Sequence, residues 1–85
     1  MKYEVIIKKS AKKEIKQLPK HTISRVISKI KLLEEDAYPT GSIKIVGSVN
    51  TWRLRAGNYR IIYDVYEDRV VIEVIAVRHR KDAYK

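Results

Sequence analysis

Cysteine is absent from the 85 residues, and histidine occurs only as His21 and His79. The chain therefore offers neither a disulfide framework nor the ligand set of a zinc site, and we expect no metal and no cofactor. No run of about 18 apolar residues occurs, and the apolar part of the opening segment MKYEVIIKKS is too short for a signal peptide. We therefore expect a single domain, residues 1–85, in the cytoplasm and without a membrane partner.

Acidic residues are also few, with ten against nineteen lysines and arginines and a net charge of +9. This excess points to an anionic partner, and nucleic acid fits better than a membrane because no basic amphipathic helix carries bulky aromatic residues. A basic protein without such a partner is the alternative. Ten of the twelve lysines lie at or before Lys44, whereas six of the seven arginines lie between Arg53 and Arg80. Because the planar guanidinium holds phosphate at two points, the second half is predicted to carry the working surface.

The hydrophobic pattern predicts one strand, two helices and then three strands. Alternation over Lys2–Lys8 indicates the first strand, Ser10 can cap a short helix, and Pro19 ends or restarts that helix. A longer helix is expected to finish near Ala37, and Ile43–Val46 can form a short extended piece. The apolar stripe of the longer helix consists of Ile23, Val26, Ile27, Ile30 and Leu33.

The segment WRLRAGNYRIIY, from Trp52 to Tyr63, is typical of a β-hairpin. If Gly57-Asn58 forms a two-residue loop, Arg55 lies opposite Arg60 and Arg53 lies opposite Ile62. The three arginines then project from one face of the sheet. Like charges directly opposite one another destabilise a sheet unless an anion lies between them, so this face is predicted to bind phosphate.

The last strand is predicted to follow a tight turn at Glu67-Asp68 that pairs Tyr66 with Arg69. Strict alternation then puts Val70, Ile72, Val74 and Ala76 on the apolar face, and Glu73, Ile75, Val77 and His79 with the arginines. The two helices must cover the apolar face, where Trp52 and Tyr63 are expected to pack, and the arginine face stays open. Arg69 and Arg78 are interpreted as solvated charges at strand ends.

The whole chain resembles the RelE branch of the RelE/ParE toxin superfamily. The resemblance lies in the order of elements, in the Tyr59-Arg60 pair after a glycine turn, and in the final segment VIAVRHRKDAY. It implies a small α+β fold, in which an N-terminal strand and a two-helix hairpin pack on one face of a four-stranded, mainly antiparallel sheet. The element order would be β-α-α-β-β-β, with a vestigial C-terminal helix.

The resemblance also implies a function. Members of the RelE branch are toxins of type II toxin–antitoxin systems that enter the ribosomal A site and cut messenger RNA there, and a cognate antitoxin is encoded beside each of them. The chain is therefore expected to be an mRNA interferase, a metal-independent endoribonuclease that inhibits translation. Two alternatives remain: a ParE-like inhibitor of DNA gyrase, and a catalytically inactive protein that binds nucleic acid.

Metal-independent cleavage of RNA uses the ribose 2′-hydroxyl as nucleophile. It needs cationic groups beside the anionic phosphorane and a proton for the leaving 5′-oxygen. Arginine stays charged and is a poor base, so Arg53 and Arg55 are expected to clamp the phosphate. Arg60 would hold a non-bridging oxygen, Arg80 or His79 would lie nearest the leaving group, and Tyr84 would stack on a base or move a proton. The predicted site residues are Arg53, Arg55, Arg60, Arg80, Tyr84 and His79.

Overall fold

Two helices cover one face of a five-stranded sheet in the computed structural model, which describes residues 2–81. The strand order is β1-β5-β4-β3-β2; β1 and β5 are parallel and the other neighbours are antiparallel. The elements in chain order are β1 (Glu4–Ile7), α1 (Lys9–Lys16), α2 (Lys20–Glu35), β2 (Ile43–Lys44), β3 (Thr51–Ala56), β4 (Tyr59–Tyr66) and β5 (Val71–His79).

The predicted α+β architecture is confirmed, with one more strand than the four expected. The additional strand is β2, the short extended piece after α2, which pairs with β3 and so becomes an edge of the sheet. The predicted vestigial helix falls on residues 82–85, outside the described part of the chain. No helix within residues 2–81 is long and apolar enough to cross a bilayer.

The helix boundaries follow from the backbone rather than from side-chain caps. Pro19 occupies the position before α2, as predicted, because its ring cannot continue α1. Ser10 does not cap α1, which begins at Lys9. The N–H group of Lys8 donates to the carbonyl of Val74 at 2.9 Å, so the sheet itself fixes where the chain turns into the helix. The longer helix ends at Glu35, before the predicted Ala37, since Asp36 is already extended.

The core lies between the helices and the sheet face that they cover. Tyr63 is fully buried there, and its hydroxyl donates to the carbonyl of Ala37 at 2.8 Å. Trp52 is partly buried and packs against the same core, with its ring tilted by 54° to that of Tyr38 and the centroids 4.6 Å apart, so Trp52 and Tyr63 pack on the apolar face as predicted. The other large buried side chains are Leu33, Leu54, Ile61, Ile72, Val26 and Val74.

The β3–β4 hairpin has the predicted register. Arg55 pairs with Arg60, and Arg53 pairs with Ile62. Gly57 has a φ of +63°, and a type II′ turn requires such a glycine at its first loop position. A side chain at Gly57 would also lie 3.0 Å from the guanidinium of Arg25 on α2, so the turn packs closely against the helix.

The β4–β5 turn is two residues longer than predicted. Tyr66 pairs with Val71 rather than with Arg69, and the loop comprises residues 67–70. Val70 has a positive φ of 53°, and the Arg69 guanidinium lies 4.4 Å from the centre of the Tyr66 ring. Val70 therefore belongs to the loop and not to the apolar face of β5.

A β-bulge in β5 reverses the facing of the end of that strand. Tyr63 pairs with Val74 but Ile62 pairs with Ala76, so Ile75 is an extra residue on β5. Strict alternation holds for Ile72, Glu73 and Val74 and fails beyond them. Val77 and His79 consequently face the helices, whereas Ala76 and Arg78 face the open side, opposite to the prediction for Ala76, Val77 and His79.

Candidate nucleic-acid interface

Three arginines on three adjacent strands form a continuous cationic row on the open face. Arg55 on β3 pairs with Arg60 on β4, and Arg60 pairs in turn with Arg78 on β5. We call Arg55, Arg60 and Arg78 the arginine row. Residues directly opposite in antiparallel strands share a face, with Cβ atoms about 5 Å apart. The row is therefore a compact concentration of positive charge.

Arg60 lies at the centre of the row and is only partly exposed. Its Nε and Nη1 atoms are buried, and neither has a hydrogen-bond partner within residues 2–81. Burying such a donor without a partner costs about 1–3 kcal/mol, and more when the group is charged. An oxyanion that reached these two atoms would remove this cost, since both are donors to phosphate.

The two arginines of β3, Arg53 and Arg55, differ in their surroundings. Arg55 is exposed, and its Nε donates to the carbonyl of Gly57 at 3.0 Å, which ties the guanidinium to its own hairpin turn. Arg53 is half-buried and lies beside the β2 edge, where it lines a cavity of about 310 Å³. The remaining lining residues are Ile43, Lys44, Ile45 and Val46.

Arg80 follows directly after β5 and is exposed. Its backbone N–H donates to the carbonyl of Asn58 at 2.7 Å, so it lies beside the β3–β4 turn, at the end of the sheet that carries the arginine row. The structure thus brings Arg53, Arg55, Arg60 and Arg80 to one end of the molecule. Tyr84 lies outside the described residues.

His79 lies on the helix side of the sheet, whereas Arg55 and Arg60 lie on the open side. It pairs with Tyr59, and the two rings meet edge to face with centroids 5.3 Å apart. It lines a cavity of about 520 Å³ on the helix side, together with Glu14, Tyr59 and Arg78, whose side chain reaches round the edge of β5. The predicted place of His79 among the arginines is therefore wrong, because the bulge moves it to the other face.

Glu14 on α1 is a residue that the sequence reasoning missed. Its Oε1 accepts a hydrogen bond from the N–H of Val77 at 3.1 Å, and its Oε2 accepts one from Nε of Arg78 at 3.3 Å. The helical pattern signals only that Glu14 lies one position before the buried Ile15, and nothing in it shows a contact with β5. Arg78, interpreted as a solvated strand-end charge, belongs to the arginine row instead.

The far end of the open face has the opposite character. Asp64 on β4 pairs with Glu73 on β5, and its Oδ1 accepts a hydrogen bond from the hydroxyl of Thr51 at 2.5 Å. Tyr66 and Arg69 lie at the same end. The open face is therefore cationic towards the β3–β4 turn and acidic towards the β4–β5 turn, which restricts an anionic ligand to the first end.

A tyrosine cluster fixes the β4–β5 turn on the helix side. The hydroxyls of Tyr38 and Tyr3 donate to Oε1 of Glu67 at 2.6 and 3.0 Å, and these two hydrogen bonds lower the pKa of Glu67. Burial raises the pKa of Tyr38, and it raises the pKa of Tyr63 to about 12. Glu67 and these tyrosines lie away from the arginine row, and their hydrogen bonds stabilise the fold.

No group of three or more histidine, cysteine, aspartate or glutamate side chains is placed to hold a metal ion within residues 2–81. The guanidinium groups of the arginine row can bind an anion and stabilise negative charge.

Comparison with known proteins identifies relatives over nearly the whole length. The family model described as "ParE toxin of type II toxin-antitoxin system, parDE" matches residues 5–84. A Methanocaldococcus jannaschii protein named Toxin RelE3 is 34% identical over 89 residues, covering 95% of this chain and 94% of the relative. A putative RelE-like toxin protein of Escherichia coli is 29% identical over 87 residues, covering 99% and 92%.

Solved structures give the same result. The chain is similar to one in the archaeal RelE–RelB complex from Pyrococcus horikoshii OT3, with a TM-score of 0.85 and 32% identity over 98% of this chain and 100% of that one. It is also similar to a chain of the RelB–RelE antitoxin–toxin complex from Methanococcus jannaschii, with a TM-score of 0.78 and 28% identity over 94% and 95%.

Proposed function

The chain belongs to the RelE/ParE superfamily of type II toxins, in its RelE-like branch, and we propose that it is a ribosome-dependent mRNA endonuclease that inhibits translation in the cytoplasm. The observation that carries the proposal is the position of Arg60 at the centre of the arginine row, with Nε and Nη1 buried and without a hydrogen-bond partner within residues 2–81. A buried charge without hydrogen-bond partners lowers the stability of the fold unless a bound ligand supplies the partners. Phosphate oxygens are suitable acceptors for the guanidinium N–H groups.

The proposed reaction is attack by a ribose 2′-hydroxyl on the adjacent phosphorus, with loss of the 5′-oxygen. Arg60 donates to a non-bridging oxygen and stabilises the charge that grows there in the phosphorane. Removing one such donor from an active site typically costs about 10²–10³ in rate. Arg53 and Arg55 orient the phosphate, and Arg80, whose backbone N–H bonds to the carbonyl of Asn58, is assigned to the leaving oxygen.

Dependence on the ribosome follows from what surrounds the arginine row. Asp64 is the carboxylate on β4 that shares its face, and the Thr51 hydroxyl already occupies one of its oxygens. His79 faces the helices, on the other side of the sheet from Arg60. The described residues therefore supply charge without an acid–base pair, and the proton transfers are assigned to Tyr84 or to the ribosome and the constrained message.

A cognate antitoxin is the proposed regulator, and the β2 edge is its proposed contact. Val46 and Val49 are 98% and 89% exposed next to this two-residue edge strand, and Ile43 is half exposed. Unpaired edges accept an additional strand, and exposed apolar side chains give such a strand its specificity. An antitoxin segment laid here would reach Arg53 and the open face.

The test is a translating extract supplied with the purified chain and a reporter message, with 5′ ends mapped by primer extension. We expect cuts within codons that appear only when ribosomes occupy the message. Addition of an inhibitor that blocks initiation is the matched control and should abolish the cuts. Equal cleavage of naked message, or intact message in the translating extract, would contradict the proposal.

Inhibition of DNA gyrase is the second candidate, favoured by the description of the matching family model, which is that of a ParE toxin. A supercoiling assay with purified gyrase separates the two functions. Loss of supercoiling at toxin concentrations that leave translation unaffected would support this candidate, and the reverse result supports the endonuclease.

A further inference from the structure

The bulge in β5 gives the arginine row its third member. With one extra residue at Ile75, Arg78 lies opposite Arg60 and so on the open face. Without the bulge, strict alternation would direct Arg78 to the helix side. Arg78 therefore extends the cationic surface by one strand, away from the β2 edge.

Arg78 also lies at a free edge of the sheet. β1 pairs with β5 only from Val71 to Val74, so the outer edge of β5 has no neighbouring strand beyond that point. Glu14 takes the place of a strand there, accepting from the N–H of Val77 with one oxygen and from Nε of Arg78 with the other. The Arg78 side chain therefore lies at the edge between the two faces, where it also lines the cavity beside His79. Within residues 2–81 its guanidinium has no further hydrogen bond, so its two Nη groups can donate to a ligand at that edge.

We propose that Arg78 is a phosphate-binding residue of the RNA site, and that Glu14 is the positioning residue that orients it. The inference rests on the proposed function, because it extends the same interface. Arg60 binds the phosphate at the centre of the row, and Arg78 binds the neighbouring phosphate on the β5 side. The Glu14 carboxylate also offsets part of the repulsion among three arginines in register.

The test is the affinity of the full-length chain for a short, labelled oligouridylate, measured by fluorescence anisotropy over a series of salt concentrations. Arg78→Ala should lower the affinity about tenfold at low salt and reduce the slope of log affinity against log salt by about 0.7, the value for one phosphate contact on a single strand. Arg78→Lys should keep most of the slope and recover part of the affinity, since it restores the charge without the fork.

Arg69→Ala is the matched control. It removes the same side chain and the same charge, but at the acidic end of the open face, where the guanidinium lies over Tyr66. We expect its affinity to stay within about twofold of the wild type. An Arg78→Ala variant that behaves like Arg69→Ala overturns the inference.

Arg60→Ala distinguishes failure of this inference from failure of the proposed function. If Arg60→Ala loses affinity and slope while Arg78→Ala does not, the RNA site exists and Arg78 is outside it. If neither substitution changes RNA binding, the open face does not bind RNA, and the proposed function fails together with the inference.

The role of Glu14 is tested by a double-mutant cycle. Glu14→Gln keeps an acceptor for the N–H of Val77, so the variant should fold. At about 0.2 M salt, where the general effect of removing a carboxylate is screened, Glu14→Gln should lower RNA affinity at least threefold when Arg78 is present. In the Arg78→Ala background the same substitution should have no effect. Equal effects in both backgrounds would show that Glu14 does not act through Arg78.

Discussion

Substitution of Arg60 tests whether the arginine row binds phosphate or contributes only to the fold. Arg60→Ala should lower cleavage of ribosome-bound message about 10²–10³-fold, because it removes the donor proposed for the phosphorane. The free energy of unfolding should not fall and should rise by up to about 1–3 kcal/mol, because the lost guanidinium has buried, unpartnered atoms and two arginine neighbours. Single-turnover cleavage and urea unfolding measure the two quantities.

Two further substitutions show whether the Arg60 effect is specific. Arg60→Lys should recover part of the activity, since a point charge cannot reproduce two parallel hydrogen bonds. Arg69→Ala removes an arginine from the other end of the sheet and should leave cleavage unchanged. If Arg60→Ala unfolds several kcal/mol more easily than the wild type, Arg60 is a structural residue and the loss of activity carries no information about phosphate.

Tyr63 illustrates the opposite case, a polar group that serves the core. Its buried hydroxyl donates to the carbonyl of Ala37, so Tyr63→Phe should lower the free energy of unfolding by about 1–2 kcal/mol. Cleavage per folded molecule should not change, because Tyr63 faces the helices. Tyr66→Phe is the control on the open face, where the hydroxyl makes only a long 3.4 Å contact with Asp64. Equal losses in the two variants would contradict the assignment of the Ala37 bond.

At the scale of elements, the β4–β5 turn is held by Glu67, and this contact makes stability depend on pH. Hydrogen bonds from Tyr38 and then Tyr3 lower the pKa of Glu67, so the folded state favours the carboxylate. The contribution is therefore present above the pKa of the unfolded chain and is lost as pH falls through the lower folded pKa. The stability difference between wild type and Glu67→Gln should shrink between about pH 5 and pH 3.

Chemical unfolding at several pH values measures this difference, with Glu4→Gln as the control. Glu4 is exposed on β1, and its carboxylate makes no hydrogen bond within residues 2–81. The difference in free energy of unfolding between wild type and Glu4→Gln should not shrink over the acid range in the way expected for Glu67→Gln. A Glu67→Gln difference that is constant across the acid range would show that the two tyrosines do not hold the carboxylate in solution.

The two hairpins show what a sequence can predict about elements. The β3–β4 register was predictable because Gly57-Asn58 is a strong local turn signal flanked by alternating residues. The β4–β5 turn was not, because its length depends on Val70 adopting a positive φ, which that residue type rarely does. The bulge at Ile75 was also invisible, since β-branched and small apolar residues on either side fit both faces.

The same distinction explains the outcome for the site residues. Arg55 and Arg60 were placed correctly because the hairpin is local. His79 was assigned to the wrong face because one inserted residue reverses every position after it, and for the same reason Arg78 was interpreted as a solvated charge at a strand end rather than as a neighbour of Arg60. Glu14 could not be found, since its contacts with β5 span 63 and 64 positions along the chain and replace a missing strand that only the full topology reveals.

At the scale of the whole molecule, the arrangement separates the surface proposed for RNA from the surface proposed for the antitoxin. The helices occupy one face of the sheet, the arginine row occupies the β3–β4 end of the other, and the exposed valines lie at the β2 edge. Arg53 connects the arginine row with the β2 edge, because it pairs with Ile43 on β2 and lines the cavity beside Val46. An antitoxin at the β2 edge can therefore block RNA without covering the whole row.

This separation predicts how antitoxin affinity responds to substitution. Val46→Asp should weaken binding of the cognate antitoxin at least tenfold, because it places a charge in a nearly fully exposed apolar position that the partner would bury. Arg55→Ala should weaken it only a few-fold, since exposed ion pairs contribute little. Titration calorimetry with the purified antitoxin measures both, and the wild-type complex should not cleave ribosome-bound message.

Leu32→Asp is the matched control for this prediction. Leu32 is an apolar residue, half exposed on α2 rather than beside the β2 edge strand, so the same chemical change there should leave antitoxin affinity near that of the wild type. If Leu32→Asp weakens binding as much as Val46→Asp, the antitoxin contacts the helices and the β2 edge is not its main site. If the wild-type complex cleaves message as fast as the free chain, the antitoxin does not inhibit by covering the path to the arginine row.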